Sequence, residues 1–289
     1  KKTKLSQLQS KLSSLVTKSD VLSDTVFDAF SAKKASSSDS EKLSASAGST
    51  SLAGNHSLTV SRLATAHTIV SKQYNSTGTT LSSSISSDQS FSIGVGHPTN
   101  DDSANRVNIS VTVSASNFDN TSDETALTAI ANAINTAMTS AVVNDTIESD
   151  EIVNASVVSE QNGKSRLVLT SAKTGYTYRQ NFTDTSGLLS SLGVSTSSQS
   201  SGVNGGYITS EDNLNSLFTM DGLSFSRDSN KVSDALTGVT FNLLQTFSSA
   251  ETLTVVKDVE SVKSSVNEFI SKYNDTIKFL RENGRLDPD

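Results

Sequence analysis

Several residue types that bring reactivity or rigidity to a protein are scarce in this sequence. None of its 289 residues is Cys or Trp, and only two are Pro. The absence of Cys excludes disulfide frameworks, thiolate metal sites and cysteine nucleophiles. Aromatic residues make up 6% and hydrophobic residues 34%. Any hydrophobic core must therefore be aliphatic and modest in thickness.

Positive charge and long apolar runs are also in short supply. The sequence has 23 Lys and Arg against 30 Asp and Glu, for a formal net charge of −7. Without a local Lys/Arg cluster, this sign opposes phosphate contacts and predicts no nucleic-acid partner. No segment approaches the roughly 18 consecutive apolar residues of a membrane span, so we predict no membrane partner. No signal peptide opens the sequence. Since it begins inside a heptad pattern, we expect a fragment of a longer protein.

Residue patterns that carry catalysis are missing as well. The histidines His56, His67 and His97 are isolated in sequence, and a zinc site would require them to converge or to recruit carboxylates. No nucleophile elbow, P-loop or dinucleotide fingerprint is present. The acidic residues at Asp101-Asp102 and across 119–124 lack the ligand spacing of a calcium-binding loop. We predict that the chain is not an enzyme and holds no metal or cofactor.

The most regular pattern lies at the two ends of the sequence, where apolar residues recur at the three-four spacing of an amphipathic helix. One helix is expected from Lys4 to about Phe30, and another from Asp258 to Leu280, capped by Asp258 and stopped at Asn283-Gly284. We predict that the two helices pair, or pack on copies of themselves, as a coiled-coil-like leg. The alternative is a helix folded onto a neighbouring domain. The residues assigned to leg packing and self-association are Leu5, Leu8, Leu12, Leu15, Leu22, Val26, Val259, Val262, Val266, Phe269, Tyr273 and Leu280.

Between the terminal helices the apolar period changes to two, which predicts strands. Asn162-Gly163 and Asp221-Gly222 predict tight hairpin turns, since these residues tolerate positive φ. Three further local predictions are a helix end at Lys33-Lys34, a linker across 36–40 and a helical turn at 232–236. The expected strands contain Leu58–Val60, Phe91–Val95, Val107–Val113, Val153–Val157, Arg166–Thr170, Phe218–Met220, Leu223–Phe225, Val239–Leu243 and Leu253–Val255.

Residues 121–141 return to helical spacing within this strand-rich region. Thr121 and Glu124 predict a capping box at the start of the helix, and Leu127, Ile130, Ile134 and Met138 form its apolar face. A short helix across 188–192, stopped by a glycine at 193, is expected to close the same unit.

The order of elements predicts an α+β, multidomain fold in which one domain is inserted into another. Ser-rich and Gly-rich segments at 76–87 and 197–206 flank a separable central unit. The predicted parts are a helical leg from residues 1–43 and 257–289, a β-rich inner head domain from 44–84 and 205–256, and an inserted α+β outer head domain from 85–204.

Four segments of the sequence carry motifs that occur together in one known protein family. Leu58–Ala64 is similar to the strand before a V-x-x-L-A turn, and Ala126–Asn135 resembles an "IN" motif. The most specific match is Phe218–Phe241, with its Asp-Gly turn and its Gly-Val-Thr block, and Phe269–Asn274 is similar to an F-x-x-x-Y-N in a C-terminal helix. Together they resemble the flagellar hook-associated protein 2 family, the filament cap proteins. The resemblance spans nearly the whole chain in the same order, with departures at 97–106 and 144–151 and without the outermost terminal coiled-coil segments of the family.

This resemblance implies a protein exported by the flagellar type III apparatus to the extracellular filament tip. Copies would form a ring-like homo-oligomer that promotes flagellin assembly and prevents subunit loss. Its partners would be other copies of itself, flagellin subunits and a flagellar export chaperone. The family offers no catalytic residues to carry over.

Two other functions stay open at this point. The chain could be a surface adhesin whose outer domain binds host glycan or mucin, with Phe91, Phe118, Tyr176, Tyr178 and Phe182 as the aromatic candidates for sugar stacking. It could also be the hook–filament junction protein, which shares the IN motif but should lack the block from 218 to 241.

Overall fold

The structure, a computed structural model, describes residues 2–23, 29–96, 106–119, 121–195 and 198–284. It is a mixed α+β fold in which the helices near the two ends of the chain pack together, so the predicted fold class is confirmed. The helices are α1 (Lys2–Ser23), α2 (Asp123–Val143), α3 (Leu188–Leu192) and α4 (Val259–Asn283). The strands are β1 (Lys33–Ser37), β2 (Leu43–Ala47), β3 (Gly54–Arg62), β4 (Ala66–Val70), β5 (Tyr74–Asn75), β6 (Gln89–Val95), β7 (Val107–Val113), β8 (Val153–Glu160), β9 (Lys164–Thr174), β10 (Asn181–Asp184), β11 (Gly206–Tyr207), β12 (Ser216–Met220), β13 (Leu223–Arg227), β14 (Lys231–Val232), β15 (Val239–Leu243) and β16 (Phe247–Lys257).

The strands form four sheets. Their orders are β1-β16-β3-β12-β13, β10-β6-β7, β11-β4-β9-β5 with β8 also paired to β9, and β14-β15-β2. Two compact units share these elements. The first contains Lys1–Thr59, Thr219–Leu223 and Lys231–Asp289, and the second contains Val60–Phe218 and Ser224–Asn230. The leg and head boundaries given above remain a prediction.

The first unit has a small aliphatic core built from alternating strands. β15 pairs antiparallel with β2 from Val239↔Ala47 to Leu243↔Leu43. Val239, Phe241 and Leu243 are each at most 2% exposed, because alternate residues of a strand face the same side. The strand predicted across 239–243 is therefore confirmed.

Three local predictions in this unit were wrong in whole or in part. Lys33-Lys34 begin strand β1 instead of ending a helix, and the first two residues of the linker predicted at 36–40, Ser36 and Ser37, belong to the same strand, which ends at Ser37. β1 pairs along its whole length with β16, from Lys33↔Lys257 to Ser37↔Leu253. The Val232 region is also a strand, β14, which pairs with β15 and buries Val232 to 2% exposure. For β1, backbone pairing with a distant segment overrides weak local preferences, and for β14 pairing with the next strand does the same.

The second unit is organised around α2, which packs on β7, β8 and β9. The predicted apolar face is confirmed, since Leu127, Ile130 and Ile134 are fully buried and Met138 is 1% exposed. Among the described residues, α2 is the one helix long and apolar enough to cross a membrane by length and composition. Because its apolar side chains lie in the core of this unit, packing within the protein accounts for that apolarity.

The predicted capping box at the start of α2 was wrong. Ser122, not Thr121, caps the helix, and its hydroxyl accepts a hydrogen bond from the Thr125 N–H at 3.3 Å. Glu124 does not reach back to the cap; its carboxylate accepts from the Ser159 hydroxyl at 3.0 Å. The sequence offered two adjacent hydroxyl residues, and the tertiary position of Glu124 decided between them.

Asp123, the first residue of α2, anchors the low-complexity segment that was expected to separate two domains. Its carboxylate is 1% exposed and accepts hydrogen bonds from the N–H groups of Thr80, Leu81 and Ser82. Charge-assisted bonds of this kind are stronger than neutral ones. The segment is therefore fixed to the core helix of its own unit.

The two residues of the IN motif have different roles in α2. Ile134 is fully buried in the core. The Asn135 side-chain amide donates to the Ala155 carbonyl at 2.8 Å and accepts from the Ala155 N–H at 2.9 Å. β8, which carries Ala155, pairs with β9, and Asn135 takes up the backbone groups of Ala155 that point away from β9.

The turn predictions in this unit are confirmed. The β8–β9 hairpin turns at Asn162 and Gly163, whose φ angles are 61° and 66°. The short helix α3 ends at Gly193 in the left-handed conformation, with φ 75°. Both positions use residues that adopt positive φ at low cost.

Candidate functional site

The helices α1 and α4, to which the sequence analysis assigned self-association, both belong to the first unit. Neither contains Pro or Gly between its ends. Asp258 caps α4 by accepting a hydrogen bond from the Ser261 N–H at 3.1 Å. Gly284 ends the helix and donates its N–H to the Leu280 carbonyl at 2.7 Å. The start and stop signals predicted for α4 are therefore confirmed.

The two helices pack along one side of each, and the contact is shallow. Thr276, at 3% exposure, is the one buried residue in the described parts of both helices. The half-buried residues that line the contact are Leu8, Lys11, Leu15, Lys18 and Leu22 on α1, and Val262, Val266, Phe269 and Phe279 on α4. A pair of helices this exposed gains little from its own packing.

Polar contacts show that the helices run antiparallel. The Lys18 ammonium lies 2.7 Å from the Glu268 carboxylate, and the Lys11 ammonium lies 5.7 Å from the ring centroid of Phe279. Residues nearer the N-terminus of α1 therefore contact residues nearer the C-terminus of α4. The hydrogen bond from Lys18 lowers the pKa of Glu268 below its ordinary value. Because both groups are accessible to solvent, this pair aligns the helices more than it stabilises them.

One side of the pair is polar. A groove of about 60 Å³ is lined by Ser10, Lys11 and Ser14 of α1 and by Lys272, Asp275 and Thr276 of α4. The Lys18–Glu268 pair lies on this side too, because both residues are rotated in the same direction from the centre of the helix contact as the groove residues.

The other side of the pair is apolar and exposed. At 100° per residue, Leu5, Leu12 and Val16 fall within about 40° of one another and about 100° from the centre of the contact on α1. On α4, the residues Ile270, Tyr273 and Ile277 lie about 50–110° from the centre of the contact. They are rotated from it in the same sense as the three residues of α1, when each helix is viewed from its own N-terminus. Because the helices are antiparallel, equal senses of rotation place both sets on one side of the pair. We call these six residues the open face.

Most side chains of the open face are exposed to solvent, although all six residues are apolar or aromatic. The exposed fractions are 62% for Leu5, 44% for Leu12, 57% for Val16, 47% for Ile270 and 48% for Tyr273, and Ile277 is half-buried. Single exposed apolar residues are common on proteins, but a contiguous group on one surface is typical of an interaction site.

The structure divides the predicted leg residues into two groups. Val26 lies outside the described residues. The half-buried residues are Leu8, Leu15, Leu22, Val262, Val266 and Phe269, and the exposed residues are Leu5, Leu12, Val259, Tyr273 and Leu280. The first group packs between the helices and the second is free for another contact. Self-association through these residues stays a prediction.

Sequence reasoning missed three members of the open face. Val16, Ile270 and Ile277 lie beside the single three-four stripe that was traced on each helix. A helical projection of all apolar positions would have placed Val16 with Leu5 and Leu12, since positions four and seven residues apart share a face.

The histidines do not form a chemical centre in the described part of the chain. His56 pairs with Asp221 across 2.7 Å, and its contact lowers the pKa of that carboxyl. His67 is buried in the second unit. His97 and Asp101-Asp102 lie outside the described residues. Within the described ranges, no group of three or more His, Cys, Asp or Glu side chains is arranged to hold a metal ion.

Comparisons with known proteins match both ends of the chain. The family model described as the flagellar hook-associated protein 2 N-terminus matches residues 1–67, and the model of the C-terminus of the same family matches residues 213–286. The B-type flagellar hook-associated protein 2 of Pseudomonas aeruginosa is 36% identical over 141 residues, which cover 45% of this chain and 29% of that protein. The chain thus spans under a third of the length of this curated relative.

Solved structures are similar over a larger part of the chain. A crystal structure of the D1-D2-D3 domains of the flagellar cap protein FliD from Escherichia coli has a TM-score of 0.75 and 25% identity, covering 99% of this chain and 71% of that one. The crystal structure of FliD from Pseudomonas aeruginosa has a TM-score of 0.61 and 27% identity, covering 86% and 99%. Matching ends, a shared fold and paired terminal helices agree with the resemblance seen in the sequence. The chain belongs to the flagellar hook-associated protein 2 family.

Proposed function

We propose that this chain acts as part of a flagellar filament cap, a ring-like homo-oligomer at the distal filament tip. The cap would promote flagellin assembly and prevent the loss of newly exported subunits. The observation that carries the proposal is the match of both ends of the chain to hook-associated protein 2. Those ends include the two helices that pair in the structure.

The open face supports a specific role for the leg. An apolar surface on a helix pair with a shallow core gains stability when a further helix covers it. We assign the open face to the contact with a neighbouring subunit, which is either another copy of the cap or a flagellin. The polar side of the helix pair would then face solvent. Rings of several symmetries can be built from the same kind of surface.

The remaining features of the proposal follow from the family. The protein would be exported by the flagellar type III apparatus with a dedicated export chaperone, and it would work outside the cell. It would use no catalytic residue, metal or cofactor. Residues 1–43 and 257–289 would form the leg, 44–84 and 205–256 the inner head, and 85–204 the inserted outer head.

The alternatives are less well supported. Both family models and the relatives named above are hook-associated protein 2 or FliD, which favours the cap over the hook–filament junction protein. Adhesion to glycan or mucin stays a separate prediction. Two of its five candidate aromatic residues, Phe91 and Phe118, are 2% exposed and unavailable for stacking, whereas Tyr176, Tyr178 and Phe182 are at least partly accessible.

A deletion strain tests the cap function directly. Cells that lack the full-length protein should secrete monomeric flagellin and build few or short filaments, and the full-length gene should restore them. Filament length is measured by electron microscopy, and secreted flagellin by immunoblot of the medium. Normal filaments in the deletion strain would show that the protein is not the cap.

Substitutions on the two sides of α1 test the role of the open face. In the full-length protein, L12Q together with V16Q should reduce filament assembly, because a polar amide replaces the apolar contact. S6Q together with S13Q is the matched control, since both serines are exposed on the side of α1 away from α4 and from the open face. Equal filament lengths in the two variants would remove the open face from the proposal and leave the cap function intact.

A further inference from the structure

Asparagine followed by glycine occurs three times in the sequence, at Asn162-Gly163, Asn204-Gly205 and Asn283-Gly284. Asparagine is a thermolabile residue, and its side chain is attacked most readily when the next residue is glycine, which has no Cβ to obstruct the approach. The first two pairs lie in the second unit, and the third lies at the end of α4. Because the fold holds the three pairs differently, their reactivity should differ too.

The reaction closes a five-membered ring on the asparagine side chain. Hydroxide removes the proton of the glycine N–H, and the nitrogen then bonds to the side-chain carbon Cγ. The amide C–N bond breaks, and its nitrogen takes a proton from water and leaves as ammonia, which restores the hydroxide. Water opens the cyclic imide at either carbonyl, giving aspartate or isoaspartate. A left-handed or helical backbone holds the glycine nitrogen away from Cγ, so the backbone must first open locally.

The pair Asn162-Gly163 forms the tip of the β8–β9 hairpin and is exposed. Among the described residues, no group bonds to the Asn162 side chain and none accepts from the Gly163 N–H. A Cβ added at Gly163 would meet no atom within 4 Å. One hydrogen bond restrains the tip, from the Ser76 N–H to the Gly163 carbonyl at 2.8 Å. Opening the turn therefore displaces no packed atom.

The pair at the end of α4 is held at both reacting groups. The Asn283 side-chain amide donates to the Phe279 carbonyl at 3.0 Å. The Gly284 N–H donates to the Leu280 carbonyl at 2.7 Å. The electrophile and the nucleophile are therefore both engaged within the helix, and two hydrogen bonds must break before the ring can close.

The pair Asn204-Gly205 is held through its backbone. The Asn204 carbonyl accepts from the Arg166 guanidinium at 3.1 Å and from the Ser200 hydroxyl at 2.9 Å. A Cβ added at Gly205 would lie 2.6 Å from the carbonyl oxygen of Gly193. The peptide between Asn204 and Gly205 is thus both bonded and closely packed, which opposes the rotation that the reaction requires.

We propose that Asn162 is a site of spontaneous deamidation in the folded protein, and that the fold protects Asn204 and Asn283. Either product adds a negative charge at the hairpin tip. The isoaspartate form also adds a carbon atom to the main chain, so the turn no longer matches the register of β8 and β9. The hydrogen bond from Ser76 is then lost. The proposal is independent of the filament-cap function.

Peptide mapping by mass spectrometry tests the ranking on the whole chain, incubated at mildly alkaline pH either folded or unfolded in urea. In urea the three asparagines should react at rates within about threefold of one another, because each precedes a glycine. In the folded chain Asn162 should react at least about tenfold faster than Asn204 or Asn283, since opening the latter two breaks more hydrogen bonds.

Variants assign the product to its site. N162Q should abolish the acidic species that accumulates on ion-exchange chromatography, because a glutamine side chain closes its larger ring much more slowly. N283Q is the matched control and should still produce it. Thermal unfolding of both variants checks that they fold.

The effect on the turn is measured by hydrogen exchange at the Ser76 N–H. Exchange should be faster in the isoaspartate form than in the unaltered chain. N162D adds the charge without the extra main-chain atom, and should exchange at the rate of the unaltered chain. Equal exchange in N162D and in the isoaspartate form would contradict an opened turn.

Three results would overturn the assignment of Asn162. The first is no reaction at Asn162 in the folded chain during the time in which the unfolded chain reacts completely. The second is reaction of Asn204 or Asn283 in the folded chain as fast as that of Asn162. The third is the same acidic species from N162Q and from N283Q.

Discussion

The helices α1 and α2 are nearly equal in length, 22 and 21 residues, and yet they differ in almost every other way. α2 has eight buried residues, whereas α1 has none. α2 begins at a capped Ser122 and covers a sheet within its own unit, whereas α1 packs on one helix and leaves Leu5, Leu12 and Val16 in solvent. Helical periodicity alone therefore does not tell whether the apolar face of a helix is covered by its own chain or by another one.

Truncation of one leucine in each helix tests this difference most strongly. L127A removes a fully buried side chain from α2 and should lower the free energy of unfolding of the second unit by about 2–5 kcal/mol. L12A in α1 should change the free energy of unfolding by less than about 0.5 kcal/mol, because that side chain is already exposed. Urea unfolding followed by circular dichroism measures both. Similar losses for the two variants would contradict the contrast.

Acid should act on the two units through different groups, with the larger effect on the second. His67 is held neutral by burial, with its pKa lowered to about 4 from 6.5, so the unfolded chain binds its proton more readily. The contribution of the neutral His67 to the free energy of unfolding is fully present above about pH 6.5. It is lost as the pH decreases towards 4, which lowers the free energy of unfolding by up to about 3 kcal/mol. Urea unfolding between pH 7 and pH 4 measures it. H67N, which keeps an acceptor near the Gln180 N–H, should have a flatter pH profile; an unchanged profile would exclude His67 as the cause.

The carboxylates at the start of α2 and of α4 should also differ in how much stability is lost when each is replaced. D123N weakens a buried carboxylate that serves three backbone N–H groups, and should cost about 1.5–3 kcal/mol. D258N removes the charge from an exposed cap that serves one, and should cost less than about 1 kcal/mol because Asn also caps well. Thermal and urea unfolding of each variant provide the comparison, and equal costs would mean that Asp123 does not anchor its segment.

The smallest expected effect is on the ion pair between α1 and α4. Because Lys18 lowers the pKa of Glu268, the folded state binds that proton less readily than the unfolded state. The contribution of the pair is present at neutral pH and is lost as pH falls through the lowered pKa. E268Q should remove this small pH-dependent part of the helicity of the leg, measured by circular dichroism in low salt. The same pH dependence of helicity in E268Q and in the unaltered chain would show that the pair does not cause it.

Periodic patterns predicted the elements whose partners lie close in sequence. The apolar face of α2, the β8–β9 hairpin and the Gly193 stop all depend on local spacing and turn chemistry. β1 was missed because its partner, β16, begins more than two hundred residues later, and Lys and Ser give no strand signal of their own. The cap of α2 was misplaced because Thr121 and Ser122 are locally equivalent.

The candidate sites show the same limit. The half-buried leucines of α1, Leu8, Leu15 and Leu22, were predicted to pack because they follow one three-four stripe. The buried hydrogen bond from the Gln180 N–H to the His67 ring in the second unit could not be predicted, since these residues lie 113 apart in sequence. Neither residue belongs to a motif, and only the fold brings the donor and the acceptor together.

Asn135 has a consequence for the behaviour of many chains at high concentration. A strand at the edge of a sheet offers its backbone as a template for another chain. Asn135 occupies the N–H and the C=O of Ala155, so an incoming strand would find that rung of the ladder already taken. At high concentration such a chain is less prone to associate with its neighbours by strand addition. The two residues of the IN motif thus have separate effects. Ile134 packs in the core of its unit, and Asn135 occupies backbone groups that another strand could otherwise pair with.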